Sequence, residues 1–334
     1  MDAWEAAKNA LEHVLEAAAG ESIFIVCDDK KIEVGKAFAN GSLALGLWTR
    51  MTILRTTKKW RTEIPEMLLE VFTQQKPNLY VNLMRDTREE TPFRIRTIKM
   101  ETRNRRSRLG HCPGVTIDML TEGALALSSQ EHKTIQSHAG RLIQALSGVT
   151  EIQIRSPAGT DLTLGTEKRE FFTDTMLDWK SMKWINLPTG EVMVAPVEDS
   201  LDGKLVCDMA IGGIGRVKTP VEVIARDGKA EKIVSKDENV LRKIRDTFET
   251  DDWSNVVGEF AFGINPRARF VDEFLEAEKI LGTIHVAFGN NTDMPGGKNL
   301  SKNHIDLLIY KPTVKAKKGD REIFTVLEDG RFRI

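Results

Sequence analysis

The stretch QEHKTIQSHAGRLIQALSG (130–148), followed by TEIQIRS (150–156), marks a change in the pattern of the chain. The first segment carries apolar residues at helical spacing, whereas the second alternates apolar and polar residues as a half-buried strand does. Before this point helical patterns alternate with short β-rich runs, and after it strands follow one another across turns. The change predicts an N-terminal domain of residues 1–148 and a second domain of residues 149–334.

The N-terminal part predicts a parallel sheet covered by helices. Helical patterns and apolar runs alternate along it, in the order 2–18, SIFIVC (22–27), 31–45, MTILRT (51–56), 64–75 and LYVNLM (79–84). Because helices of this length separate the short runs, the strands are expected to be parallel and joined by helical crossovers. We therefore expect an α/β fold that begins with an N-terminal parallel α/β layer.

The part after residue 148 predicts a mixed, strand-rich C-terminal domain. Its first strand-like runs are separated by Gly, Pro and Asp turns and include TDLTLGT (160–166), EVMVAP (191–196), GKLVCDMAI (203–211) and PVEVIAR (220–226). Helical patterns return at 237–248 and over VDEFLEAEKIL (271–281). Further strands are expected within NVVGEFAFGIN (255–265), GTIHVAFG (282–289) and HIDLLIYKP (304–312).

Composition and charge are those of a soluble globular protein. Among 334 residues, 41% are hydrophobic and 29% are charged, and the formal net charge of -1 gives no electrostatic reason to expect a nucleic-acid or membrane partner. The one dense basic cluster, PFRIRTIKMETRNRRSR (92–108), is interpreted as a solvated helix face or an interface arm. A non-catalytic protein that binds a partner through this segment remains a third hypothesis beside the two enzymes described below.

The location of the protein is inferred from its cysteines and its N-terminus. Cys27, Cys112 and Cys207 are odd in number and far apart, so neither a disulfide framework nor a thiolate zinc site is indicated. The first residues have helical spacing and acidic side chains instead of a signal-peptide pattern, and no run is long and apolar enough to span a membrane. We expect a cytoplasmic protein.

Polar residues interrupt three of the predicted strands of the second half. His285 lies in the middle of GTIHVAFG, while His304 and Asp306 are two residues apart and therefore share a face of their strand. Glu259 lies among apolar residues, and Glu191 begins a strand after a Pro-Thr-Gly turn. Individually, each has a structural explanation: a core histidine, an Asp306–His304 hydrogen bond, or a glutamate at an edge or turn. Together they form a donor set suited to divalent transition metals.

The order of these motifs carries a resemblance. LPTGEV (187–192), GEFAFGINP (258–266), EKILGTIHVAFG (278–289) and the later pair of glycines before His304 and Asp306 resemble the C-terminal half of the M29 metallopeptidases, the aminopeptidase T and aminopeptidase S group. The resemblance covers roughly residues 150–315, and SPAGTDLTL (156–164) is similar to that family's Gly-Thr-Asp-Leu turn. The N-terminal half resembles the family only in its general layout.

The resemblance implies a metal-dependent aminopeptidase. It implies that the metal ligands are Glu191, Glu259, His285, His304 and Asp306, which together suffice for two divalent ions such as Zn, Co or Mn. It also implies that Glu191 and Glu259 are the catalytic carboxylates, that a small peptide is the substrate, and that the protein forms a homodimer.

The chain also departs from the family pattern. Family peptidases carry a tyrosine a few residues after the strand histidine, where Asn290, Asn291 and Thr292 stand here. The similar 2,5-dihydroxypyridine dioxygenases use one Fe(II) held by two histidines and an aspartate, which His285, His304 and Asp306 would supply. An Fe(II) ring-cleaving dioxygenase is therefore the alternative, and the two glutamates at family-like positions favour the two-metal peptidase.

Overall fold

The computed structural model describes residues 1–104, 106–178, 182–319 and 322–334. These residues divide into two compact units. The first contains Met1–Gln136, Asp174–Thr189 and Arg267–Arg269, and the second contains Ser137–Thr173, Gly190–Pro266 and Phe270–Ile334. The domain boundary after residue 148 stays a prediction.

Over the described residues, the helices are α1 (Ala3–His13), α2 (Ile32–Ala44), α3 (Glu66–Glu70), α4 (Thr91–Glu101), α5 (Ile117–Thr121), α6 (Ser129–Leu146), α7 (Glu238–Phe248) and α8 (Phe274–Ala277). None of these described helices is both long and apolar enough to cross a membrane.

The strands are β1 (Ser22–Asp28), β2 (Trp48–Leu54), β3 (Leu79–Leu83), β4 (Arg108–His111), β5 (Val149–Arg155), β6 (Asp161–Gly165), β7 (Phe172–Thr173), β8 (Trp184–Asn186), β9 (Glu191–Val194), β10 (Asp202–Cys207), β11 (Ala210–Ile211), β12 (Gly215–Arg216), β13 (Val221–Arg226), β14 (Lys229–Val234), β15 (Val257–Gly263), β16 (Ile284–Gly289), β17 (His304–Ile309), β18 (Thr313–Lys318), β19 (Glu322–Glu328) and β20 (Arg331–Phe332).

The first unit contains a parallel sheet with apolar residues on both faces. Its strand order is β2-β1-β3-β4-β8, and every neighbouring pair is parallel. Along β1, Ile23 and Ile25 belong to one core cluster, whereas Phe24 and Val26 belong to another. Because side chains alternate across a strand, a sheet buried on both faces requires such a continuous apolar run. The predicted parallel α/β layer is confirmed.

The first helix is shorter than its periodicity predicts. The pattern extends to residue 18, but α1 ends at His13 and Glu16 has a φ of 50°. A left-handed residue cannot continue an α-helix. The guanidinium of Arg108 donates to the carbonyl oxygens of Leu15 and Glu16 at 2.8 and 2.6 Å, which satisfies backbone groups just beyond the helix end.

The second unit contains two antiparallel sheets, as the strand-rich pattern predicted. One has the order β14-β13-β10-β6-β5-β18-β19-β20, and the other has the order β12-β11-β17-β16-β15-β9-β7. In the seven-stranded sheet, Phe260 and Phe262 alternate along β15 with Glu259 and Ala261. One face of β15 therefore carries aromatic side chains while the other carries a carboxylate, so this sheet can support a polar site over an apolar core.

The predicted helix over 271–281 is mostly replaced by turns and an isolated bridge between Ile280 and Asn265. Only Phe274–Ala277 is helical, and the following residues run beside the end of β15. Asn265 N–H donates to the Lys279 carbonyl oxygen at 2.9 Å, and Leu281 N–H donates to the Asn265 carbonyl oxygen at 3.2 Å. Pairing with a neighbouring segment thus overrides the local helical spacing.

Candidate metal centre

The strand register places all five predicted ligands on one face of the seven-stranded sheet. In the β16–β17 pair, Ala287 lies opposite Asp306 and Gly289 opposite His304. In the β15–β16 pair, Glu259 also lies opposite Ala287. Residues directly opposite each other in an antiparallel pair share a face, as do residues two apart on one strand. Asp306, His304, Glu259 and His285 are therefore on one face.

Glu191 joins the same face from the next strand. It lies opposite Gly263 in the β9–β15 pair, while Ala261, two residues earlier on β15, lies opposite His285 in the β15–β16 pair. Between the donors, Ala261 and Ala287 present only methyl groups on this face. The short side chains keep the space between the carboxylates and imidazoles free of competing bulk.

One half of the site joins two imidazoles to two carboxylates. His304 Nε2 lies 3.0 Å from Asp306 Oδ1 and 3.3 Å from Glu259 Oε2. His285 Nε2 lies 3.3 Å from Glu259 Oε1 and 3.8 Å from Asp306 Oδ1. Each oxygen of Glu259 thus faces a different histidine, which places this carboxylate between the two rings.

A backbone contact fixes the orientation of the His304 ring. His304 Nδ1 lies 2.8 Å from the carbonyl oxygen of Asn290. Because a carbonyl oxygen only accepts hydrogen bonds, Nδ1 carries a proton and donates it. In a neutral imidazole this leaves Nε2, the atom that faces Glu259 and Asp306, with a lone pair for a metal ion. Such a second contact is usual for a metal-binding histidine.

The other half of the site contains a carboxylate that sequence reasoning did not assign. The donor atoms of Glu191, Glu278 and His285 lie within 4.8 Å of one another, as do those of Glu259, His285 and Asp306. His285 belongs to both groups, because its Nδ1 faces Glu191 Oε1 at 3.6 Å while its Nε2 faces Glu259. In the sequence, Glu278 falls within the helical pattern over 271–281. The feature that could have indicated a metal ligand is its position in EKILG, directly before the strand of His285.

A close backbone approach carries Glu278 to the sheet. A methyl group at Gly263 would lie 2.2 Å from the Ile280 carbonyl oxygen and 2.9 Å from that of Glu278. No side chain fits at such distances, so glycine is required where this segment lies against β15. The contact places Glu278 and Lys279 beside Glu191, and the Lys279 ammonium contacts both carboxylates.

The electrostatics of the site favour positive charge. Burial alone would raise the pKa of Glu259, but hydrogen bonds with His285 and His304 hold it well below its usual range. Burial opposes protonation of His304, yet the carboxylate of Asp306 raises the pKa of that imidazole well above its usual value. Burial raises the pKa of Glu278 to about 8. The shifts of Glu259 and His304 show that the carboxylates attract cations, whereas the shift of Glu278 shows that burial penalises its negative charge.

Comparison with known proteins identifies the family of the chain. The family described as thermophilic metalloprotease (M29) matches residues 128–332, which is more than half of the protein. The chain belongs to the M29 family of metalloproteases. The resemblance noted in the sequence is therefore confirmed, and membership supports a metal-dependent peptidase. A search of curated proteins found no match.

Two solved structures share the fold of this M29 protein. AmpT from Thermus thermophilus has a TM-score of 0.74 at 15% identity, covering 100% of this chain and 99% of that chain. The 2,5-dihydroxypyridine dioxygenase from Pseudomonas putida KT2440 has a TM-score of 0.70 at 18% identity, covering 98% of this chain and 96% of that chain. These likenesses confirm the mixed α/β fold.

The residues present fit the divalent metal that M29 membership implies. Glu191, Glu259 and His285 are each at most 5% exposed, so their polar atoms are largely removed from water. Among the described residues, His285 Nδ1 is buried and makes no hydrogen bond. Coordination of a cation stabilises buried carboxylates and imidazoles. This mixture of oxygen and nitrogen donors suits Zn, Mn, Co or Fe.

The stretch that lacks the family's tyrosine has a structural role. Asn291 is buried, and its side-chain amide donates to the Gly258 carbonyl oxygen at 3.1 Å. Its side-chain oxygen accepts from the Asn299 N–H at 2.8 Å. These bonds attach the connection between β16 and β17 to β15. Tyr310, the tyrosine nearest in sequence, follows the end of β17 and is 48% exposed.

The basic segment 92–108 is partly internal. Arg94 donates to the carbonyl oxygens of Arg85 and Thr87 at 3.1 and 2.9 Å, and Arg108 is 2% exposed. Arg105 lies outside the described residues. Two of the arginines therefore stabilise the first unit and are not free to bind a partner.

Proposed function

We propose that this M29 protein is a metal-dependent aminopeptidase with a two-metal site. Glu191, Glu259, His285, His304 and Asp306 are its proposed ligands, with Glu278 added from the structure. The observation that carries the proposal is the pair of donor groups that share His285, each with its donor atoms within 4.8 Å. Two overlapping groups suit two neighbouring ions better than one.

Bound divalent ions supply Lewis-acid chemistry, which polarises a peptide carbonyl and lowers the pKa of water. The chain's own residues would accept and donate the protons of the reaction. Glu191 and Glu259 are the proposed catalytic carboxylates, because either can accept a proton at the reacting centre and return it to the leaving amine. His304 keeps its orientation through Asn290, and the methyl groups of Ala261 and Ala287 leave room above the sheet.

We further propose that the substrates are small peptides and that the protein works as a homodimer in the cytoplasm. An acidic, buried donor set suits a free amino terminus as well as a metal ion, since both are cationic. Size-exclusion chromatography with light scattering tests the dimer.

The test of the main proposal begins with tag-free protein purified anaerobically. Metal content is measured per chain, and hydrolysis of aminoacyl p-nitroanilides and dipeptides is assayed after loading with Zn, Co or Mn. We expect amino-terminal hydrolysis that a chelator abolishes and metal restores. Hydrolysis that is indifferent to chelation, or none under any loading, would overturn the proposal.

One observation favours a second candidate, the Fe(II) ring-cleaving dioxygenase. The Lys279 ammonium contacts Glu191 and Glu278, so the donors that no lysine contacts among the described residues are His285, His304, Glu259 and Asp306. Two histidines and an aspartate are the ligands of mononuclear iron oxygenases. Iron near one equivalent, with O2 consumption in the presence of 2,5-dihydroxypyridine, would favour this candidate over the peptidase.

A further inference from the structure

A buried ammonium group lies inside the proposed metal site. Lys279 is 2% exposed, and its Nζ lies 2.8 Å from Glu278 Oε1 and in direct contact with Glu191 Oε2. Lysine is almost never fully buried unless it is paired. Here the two carboxylates provide the pairing.

The same two carboxylates form one of the two metal-binding groups. Glu191, Glu278 and His285 have their donor atoms within 4.8 Å of one another. The ammonium therefore occupies one oxygen of each of the two carboxylates that a cation in this half would need, while Glu191 Oε1 faces His285 Nδ1. A carboxylate oxygen in contact with an ammonium can accept a metal ion only against the repulsion of that charge.

The other half of the site lacks such a competitor. Among the described residues, the ion pairs of Glu259 and Asp306 join them only to His285 and His304. The pKa values of both imidazoles are raised, but an imidazole releases its proton to solvent when it binds a metal ion, whereas the Lys279 ammonium stays attached to the chain. The two halves thus differ in one respect that bears directly on metal affinity, the presence of a fixed positive charge.

We propose that Lys279 is a built-in competitor for the second metal ion. The first ion binds at Glu259, His285, His304 and Asp306, and the second binds only when Lys279 leaves Glu191 and Glu278. This inference rests on the proposed metal site and adds an order of loading to it.

A charge count supports the competition. When the four carboxylates Glu191, Glu259, Glu278 and Asp306 are ionised, as ligation requires, two divalent ions neutralise them completely. A retained ammonium would then leave an excess positive charge in a buried site. One divalent ion together with the ammonium leaves a single negative charge, whereas a second ion that displaces the ammonium leaves none, so the lysine and the second ion are alternatives.

The backbone around Lys279 permits this exchange. Asn265 N–H donates to the Lys279 carbonyl oxygen at 2.9 Å, and Lys279 N–H donates to the Glu276 carbonyl oxygen at 3.2 Å. These bonds hold the main chain, while the long side chain has several rotatable bonds. Only the side chain has to move for the second ion to bind.

The test is metal binding, measured by calorimetry and by equilibrium dialysis with elemental analysis, using Mn2+ and Zn2+ alone. In the unmodified protein we expect one tight equivalent, with a second at least about tenfold weaker or absent. Lys279→Met removes the charge and retains an unbranched side chain, and it should strengthen the second equivalent by at least about tenfold while the first stays unchanged. Lys279→Arg retains the charge and should keep the difference in affinity between the first and the second equivalent.

Controls separate charge from general effects on folding. Lys31→Met removes another lysine, whose ammonium bonds the carbonyl oxygens of Gly114 and Val115, and it should leave both equivalents unchanged. Lys279→Gln is a second neutral variant if Lys279→Met does not fold. Two equivalents that bind with equal affinity to the unmodified protein would overturn the inference. A difference in affinity that persists in the neutral variants would also overturn it. No metal binding to any variant would instead count against the proposed function.

Discussion

Gly212 and Asp306 lie in close contact where β11 meets β17. The Gly212 N–H donates to the Asp306 carbonyl oxygen at 2.9 Å, and a methyl group at Gly212 would lie 3.0 Å from Asp306 Oδ2. A proposed metal ligand is thus confined by the backbone of the neighbouring strand, and glycine is the residue that leaves it room.

Gly212→Ala should therefore weaken metal binding. The added methyl group has to displace Asp306 Oδ2 by a few tenths of an ångström, which disturbs a ligand without removing it. We expect roughly tenfold weaker binding of the first metal equivalent, by analogy with mutations of residues that support ligands. Gly140→Ala is the control, because nothing lies within 4 Å of a methyl group there. Equal metal affinities in both variants would contradict the prediction.

His304→Ala should abolish metal-dependent activity while the fold persists. The His304 side chain is 33% exposed, so its removal creates no buried apolar cavity. We expect more than about 100-fold weaker metal binding and loss of hydrolysis, with an unchanged circular dichroism spectrum. His138→Ala, which removes a histidine packed 4.6 Å from the Phe332 ring, should retain both metal and activity. A fully active His304→Ala protein would remove this residue from the site.

Gly263→Ala should destabilise the protein and disturb one half of the site more than the other. A methyl group cannot occupy a point 2.2 Å from the Ile280 carbonyl oxygen, so the segment that carries Glu278 has to move away from β15. We expect a loss of about 1–3 kcal/mol in the free energy of unfolding, the usual cost of overpacking. Urea unfolding measures the loss. Dialysis should show that the affinity for the second metal equivalent falls more than the affinity for the first.

Glu101 should make the stability of the protein depend on pH. Burial raises the pKa of Glu101 to about 8, and Asn82 donates to its carboxyl group at 2.8 Å. Between the ordinary carboxyl pKa of 4.5 and about 8, the folded state holds a proton that the unfolded state has released. The free energy of unfolding contributed by this group therefore falls as pH rises through that window and levels off above it.

Glu101→Gln should remove this dependence. The amide retains an oxygen for Asn82 and carries no ionisable proton. The free energy of unfolding of the variant, relative to that of the unmodified protein, should therefore rise by on the order of a few kcal/mol from pH 5 to pH 8. Urea unfolding at both pH values measures the difference. A constant difference across the window would show that Glu101 is ionised in the folded protein.

Local patterns predicted much of the fold. The alternation of helices and short apolar runs indicated the parallel layer, because crossover helices have to separate parallel strands. The helix predicted over 237–248 is found at Glu238–Phe248, where the Asp237 side chain accepts from the N–H groups of Asn239 and Val240. Capping and periodicity are properties of neighbouring residues, so the sequence expresses them directly.

Other elements depend on distant residues. The strand Trp184–Asn186 joins the edge of the parallel sheet beside β4, although three residues carry no usable period. The helix expected over 271–281 is reduced to Phe274–Ala277, because hydrogen bonds with Asn265 take the backbone groups that a helix would use. Neither outcome can be read from a local window.

The sequence by itself determined which donor types the chain carries and on which strands they lie. Alternation along a strand is enough to put His304 and Asp306 on one face, because residues two apart point the same way. Only the tertiary structure decided which atoms meet: the register of β9, β15, β16 and β17 brings Glu191, Glu259 and His285 together. It also placed Lys279 among them, because the close approach at Gly263 joins two segments that are separate in the sequence and meet only in the folded chain.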